Sequence, residues 1–152
     1  MAAYDSWYGR ATDYLEVFQQ LLEGTVQARA LIQKISNEIE HQDGIMGITP
    51  FALIFLCRTL PVLTPEDQQF LREKISIILQ SAQEQLDFYE EDNLPQTVIK
   101  PQDLVKEPYL WPEFISEDED KTLWEQFEWG DEHYFWSIYS LEIVETYFND
   151  YM

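Results

Sequence analysis

Apolar residues recur at spacings of three and four along most of this chain, and that periodicity restricts it to packed helices. From Tyr4 to Glu23 the series Trp7, Tyr8, Ala11, Tyr14, Leu15, Phe18, Leu21 and Leu22 marks one buried helical face, and Gly24 is a stop. Thr25 is placed to cap a second helix running to about His41, with Ala28, Leu31, Ile32, Ile35 and Ile39 inward, before the turn-prone Asp43-Gly44. Thr49-Pro50 opens a third helix with proline at its first helical position, and Phe51 to Leu60 is apolar on every side. A helix with no polar face belongs at the centre of a molecule.

Thr64-Pro65-Glu66-Asp67 combines a cap residue, an early proline and two acids in the positive first turn, the strongest helix start in the chain. The helix that follows carries one stripe of Leu71, Ile75, Ile78, Leu79, Ala82, Leu86 and Tyr89. Pro95, Pro101, Pro108 and Pro112 forbid a continuous helix between Glu90 and Pro112. The expectation is an ordered connection anchored by Val98, Ile99, Leu104, Val105, Tyr109, Leu110 and Trp111, with room for a short strand around Thr97 to Lys100. Ser116 and Glu119 form a capping box for a helix to about Trp129. After Gly130 a last helix spans roughly Asp131 to Asn149, with Trp136, Leu141, Ile143, Val144, Tyr147 and Phe148 expected inward. The fold class is therefore all-α, a single-domain irregular bundle of about six helices. Residues 1–89 form its four-helix core half, 90–116 the proline-rich connection and 117–152 an acidic, aromatic-rich helical half.

Charge is distributed unevenly over this frame. The chain carries a net charge of −20, and residues 1–80 hold ten acids against six bases, a net of −4. Residues 81–152 hold nineteen acids against Lys100, Lys106 and Lys121 alone, a net of −16, together with Trp111, Trp124, Trp129 and Trp136. Acids interleaved with indoles predict a folded anionic surface, and such a field attracts and orients basic partners. The same charge is repelled by nucleic acid and by anionic lipid, so neither is expected as a direct partner. The most apolar stretch, Gly44 to Leu63, is interrupted by Pro50, Arg58 and Pro61 and is too short to span a bilayer. Met1-Ala2-Ala3-Tyr4-Asp5 has neither the basic nor the apolar region of a secretion signal, which leads to the expectation of a cytoplasmic protein. Cys57, the single cysteine, sits in the apolar run Leu53 to Cys57 and is expected to act as a small core residue.

Motifs with catalytic or metal-binding chemistry are incomplete. Glu38 and His41 have the Glu-x-x-His spacing of carboxylate-bridged metal helices, but such sites need two units, and His133 is preceded at that spacing by Gly130. Asp118-Glu119-Asp120-Lys121-Thr122 partly matches a calcium loop, which also requires glycine at position six and glutamate at position twelve, here Leu123 and Trp129. There is no nucleophile elbow and no glycine-rich phosphate loop. No enzyme activity, cofactor or metal is expected.

The candidate site is a binding face. If the helix starting near Glu117 continues through Gly130, then Glu125, Glu128, Trp129 and Glu132 share one side, leaving a tryptophan framed by carboxylates, with Leu123, Trp124 and Phe127 inward. If Gly130 ends the helix, Trp129 folds back into the core. Glu117, Asp118, Glu119, Asp120 and Asp131 extend the acidic surface, and Phe135, Ile138 and Tyr139 are expected to project beside Glu142 and Glu145 as a second apolar patch, for a partner, for packing under the proline-rich connection or for a homodimer.

In size, charge and aromatic content the chain resembles the small acidic immunity proteins with which bacteria neutralise their own toxins, often basic nucleases. That resemblance implies an inhibitor that sets carboxylates where phosphates would lie in a nucleic-acid-binding cleft. A nucleic-acid mimic directed at restriction or defence enzymes and a helical adaptor or chaperone for a basic client are the competing readings, and a carbohydrate-active enzyme is the most distant of them.

Overall fold

The computed structural model describes residues 11–42, 44–89, 93–95, 100–110, 117–125 and 131–152, and its chain is arranged around the helix that has no polar side. In α3 (Thr49–Thr59) every residue from Thr49 to Cys57 is buried. Its polar entry is satisfied internally. The Thr49 hydroxyl accepts the Met46 N–H at 3.0 Å and donates to the Ile39 carbonyl at 2.8 Å, and Pro50 stands where a helix has no use for an N–H. Cys57 is fully buried in this helix, as its apolar neighbours predict.

Several of the other elements pack directly against α3. A 3-10 turn (Ala11–Tyr14) leads into α1 (Leu15–Glu23), whose Phe18 stacks on Phe55 at 4.7 Å between centroids. Trp7 and Tyr8, expected in the same helix, lie outside the described residues. Gly24 ends α1 at φ +84°, a left-handed value that glycine takes without strain. Helix α2 (Ala28–Ile39) starts later than its sequence suggests: Gln27 is the cap residue, and Thr25 instead accepts the Gln27 N–H at 3.2 Å in a local turn. It also ends earlier, because Glu40 turns extended and pairs in a two-stranded antiparallel hairpin, β1 (Glu40–His41) with β2 (Gly44–Ile45). Gly44 thus lies in a strand rather than in the turn, and Gln42 takes the left-handed position at φ +52°.

Helix α4 (Pro65–Leu86) begins as Thr64-Pro65-Glu66-Asp67 dictates, with the Thr64 hydroxyl accepting the Asp67 N–H at 3.2 Å and donating to the Asp67 carboxylate at 2.9 Å. It runs parallel to α2. At their N-termini Arg29 bridges Glu66 and Asp67 at 3.2 and 3.1 Å, and at their C-terminal ends Ser81 donates to Glu40 at 3.1 Å. The proline-rich connection is ordered where described, as two single turns, α5 (Pro101–Leu104) and α6 (Glu107–Leu110), with Leu104 and Leu110 fully buried. Arg58 ties it to α3 through Glu107 at 2.6 Å and the Val105 carbonyl at 3.4 Å. Val98, Ile99 and Trp111 lie outside the described residues, and Lys100, at the edge of the expected strand, precedes α5 as its cap residue.

Helix α7 (Glu117–Trp124) carries the acidic run; Ser116 and the stretch towards Trp129 lie outside the described residues. Helix α8 (Glu132–Ile143) continues as a π-helical turn (Val144–Phe148) and a 3-10 turn (Asn149–Tyr151). It lies antiparallel to α4, held at one end by Gln85 donating to the His133 carbonyl at 2.9 Å and at the other by Arg72 donating to the Tyr151 carbonyl at 3.1 Å. It also packs on α3, α5 and β2. Among the described residues, six helices have eight or more residues, and one core runs from Tyr14 to Phe148.

Enclosure by so many neighbours corrects the expected inner face of α8. Phe135 and Tyr139, expected outward, are 1% and 0% exposed and stack on each other at 5.9 Å, while Trp136 and Leu141 are only half-buried and Tyr147 is exposed. Tyr134 to Phe148 is apolar nearly all round, so periodicity alone does not choose a face; contact with α3 and α4 does. Two substitutions separate core from cap. Phe55→Ala is expected to lower unfolding free energy by about 3–5 kcal/mol and Thr64→Ala by about 1 kcal/mol, both measured by urea titration.

Candidate partner-binding surface

The acidic candidate residues of the C-terminal half that are described separate into three places. Asp118 and Glu119 on α7 are exposed, as is Glu125 in the turn that follows it, with Glu117 and Asp120 on the same short helix. Acids in this first turn suit the positive end of the helix, and Thr122 donates back to the Asp118 carbonyl at 2.9 Å. Glu128 and Trp129, and with them the proposed tryptophan framed by carboxylates, lie outside the described residues. Asp131 and Glu132 are half-buried at the start of α8. Glu142 is ten residues further along, roughly 15 Å away by helical rise, so it does not share their surface. Phe135 and Tyr139 are core residues and cannot anchor a partner.

Asp131 and Glu132 belong instead to a pole that the tertiary structure assembles from both halves of the chain. Gln85, in the last turn of α4, accepts from the Ile45 N–H of β2 at 3.5 Å and donates to the His133 carbonyl of α8, which ties hairpin, α4 and α8 together. The Tyr89 and Tyr134 rings meet edge to face at 5.2 Å, and His133 meets Trp136 in the same way at 4.7 Å. This end gathers Glu38 and Glu40 from α2 and β1, Glu84 and Asp87 from α4, and Asp131 and Glu132 from α8. The sequence contains no lysine or arginine in 35–57, 75–99 or 122–152, the three stretches that supply it. Helices α2 and α4 both point their C-termini here, without a basic residue in either last turn. Each such terminus adds about half a negative charge. Burial pushes the Tyr89 phenol above its usual value, and the nearby Asp131 and Glu132 raise it further against a backbone hydrogen bond from Tyr134.

The opposite end of α4 is where cations collect. Arg29 and Lys74 lie over the Phe70 ring at 5.1 and 5.3 Å, and Arg72 lines an open cleft of about 240 Å³ with Leu60, Pro61, Gln68, Asp150 and Tyr151. The Arg72 guanidinium is already engaged there by the Tyr151 carbonyl and Gln68.

Sequence reasoning missed the pole because its acids are far apart in the chain. The available signal was the absence of basic residues from three separate stretches, which acquires meaning only when they meet. The Glu38 and His41 pair is also resolved: the helix ends at Ile39 and His41 lies in an extended strand, so the two do not share a helical face. Among the described residues no group of three or more His, Cys, Asp or Glu is placed to hold a metal ion, and no helix is long and apolar enough to cross a membrane. Burial pushes the Cys57 thiol up to about 12, which keeps it protonated at neutral pH. No protein-family model, curated protein or solved structure matches the chain.

Glu142 supplies a pH test. Partial burial, and secondarily the Glu145 carboxylate, raise its pKa in the fold. The preference of the fold for protonated Glu142 is fully present below its unfolded pKa and is lost as pH rises through the raised folded value. Glu142→Gln should therefore leave stability unchanged below about pH 4, near the ordinary glutamate value. At pH 7 it should raise stability by a few tenths of a kcal/mol, about the size of a like-charge helical pair. Urea midpoints at the two pH values check both.

Proposed function

We propose that this protein is a non-catalytic inhibitor that binds and neutralises a basic protein, a toxin nuclease foremost, by covering a cationic nucleic-acid-binding cleft with its own carboxylates. The reading is supported by exposed acids on α7 and in the turn after it, and by a pole with neither lysine nor arginine in the segments that build it. Carboxylates fixed on helices meet a cationic cleft without first being ordered, which lowers the cost of association. Their field speeds encounter and rejects anionic surfaces, whereas the lifetime of the complex depends on apolar contacts made after docking. The setting proposed for this activity is the cytoplasm, alongside the toxin it restrains.

Affinity capture at low and high salt, followed by kinetics on the recovered protein, tests this reading. The expected result is a basic nuclease whose activity is lost in stoichiometric complex, with an association rate that falls steeply as salt rises. Reversing Asp118, Glu119 and Glu125 together to lysine should slow association with little change in dissociation. Recovery of a DNA-restricting enzyme would replace this reading with that of a nucleic-acid mimic. Turnover of a glycan without any protein partner would overturn the binding reading altogether.

A further inference from the structure

We infer that the anionic pole is the docking point for the cationic partner and that Phe88 receives an arginine side chain from it; this rests on the function proposed above. Phe88 follows the last turn of α4 and is 87% exposed, next to Tyr89 in the sequence, whose ring packs on Tyr134 at the start of α8. A ring of that size in water loses apolar burial unless a partner covers it. Its surroundings define the chemistry of the cover. Asp87 precedes it, Glu84 lies one helical turn back, and Asp131 and Glu132 are close enough to raise the pKa of Tyr89.

A purely apolar partner would strip water from these carboxylates without compensating them, and a second copy of this pole would bring like charges together. An anionic membrane or nucleic acid is repelled for the same reason. A lysine ammonium satisfies the carboxylates but remains strongly hydrated. An arginine guanidinium can lie flat on the ring while its edge donates to a carboxylate, and it is more weakly hydrated than an ammonium.

The chain already uses this pairing elsewhere. Phe70 has Arg29 and Lys74 over its ring at 5.1 and 5.3 Å, and Phe55 has Arg58 at 5.9 Å. Those rings are matched by cations of the chain itself. At the pole, the three stretches that build the surface contain no lysine or arginine, so the cation for Phe88 must come from outside them. An exposed ring beside Glu84 and Asp87, at the negative C-terminal end of α4, gives a surface selective for arginine over lysine.

The test uses the full-length protein, isotope-labelled for NMR, and two synthetic peptides of equal length and charge, one with arginine and one with lysine as its cations. The arginine peptide is expected to bind about threefold or more tightly than the lysine peptide, in line with an exposed cation–ring contact. Its shifts should centre on residues 84–89 and 131–136. Phe88→Ala should abolish that preference while leaving the melting temperature unchanged, and Phe88→Trp should preserve it. Equal binding of the two peptides, a preference that survives Phe88→Ala, or shifts centred on 117–125 would overturn the docking point while leaving a cation-binding protein. Failure of both peptides to bind at low salt would remove this inference together with the function on which it rests.

Discussion

The fold depends on burying α3, a helix that offers water no polar face. Such a helix is stable only when neighbours enclose it, and enclosure requires a shell whose members are apolar inward and polar outward. Helices α1, α2 and α8 and the turns after α8 meet that requirement directly against α3. The polar groups of α3 are handled locally: Thr49 closes its entry against Ile39 and Met46, and Arg58 at its exit reaches the connection through Glu107 and Val105. With the core occupied in this way, no acidic or basic residue among those described is fully buried. Self-repulsion works against the compact state, and the close packing around α3 offsets it.

Helix α4 converts that surplus charge into a polarity. Its 22 residues span roughly 33 Å by helical rise. Glu66 and Asp67 sit at its positive N-terminal end, where Arg29 bridges them, and Arg72 and Lys74 follow within two turns. Towards the C-terminus the cations cease. Because α2 runs parallel to α4, two negative helix ends point the same way, and the hairpin and the start of α8 add further acids. The antiparallel α8 brings a positive N-terminal end to this pole, matched by Asp131 and Glu132. A surface of this kind orients a cationic partner before contact, and the exposed Phe88 gives it something to hold afterwards.

The candidate site was only partly legible in advance. The acids of α7 were readable as exposed because they form an uninterrupted run on a short helix, and Asp118 and Glu119 are exposed. Phe135 and Tyr139 were misplaced because α8 is apolar around most of its circumference, and a helix enclosed by α3, α4 and α5 buries the side its neighbours choose. Phe88 was missed for the converse reason. It lies between Leu86 and Tyr89, the last two residues of a clear stripe, and nothing in its immediate neighbours distinguishes a ring that packs from one that does not.

The sequence by itself determined the helical class, the starts at Thr49-Pro50 and Thr64-Pro65, the central place of α3 and the burial of Cys57. These follow from interactions within a few residues: cap hydrogen bonds, proline geometry and apolar spacing. The tertiary structure alone decided the hairpin that ends α2 at Ile39, the inner face of α8 and the meeting of Glu40, Asp87 and Asp131 at one pole. Burial and electrostatic field are sums over neighbours in space. Residues more than forty positions apart enter those sums only after the chain has folded.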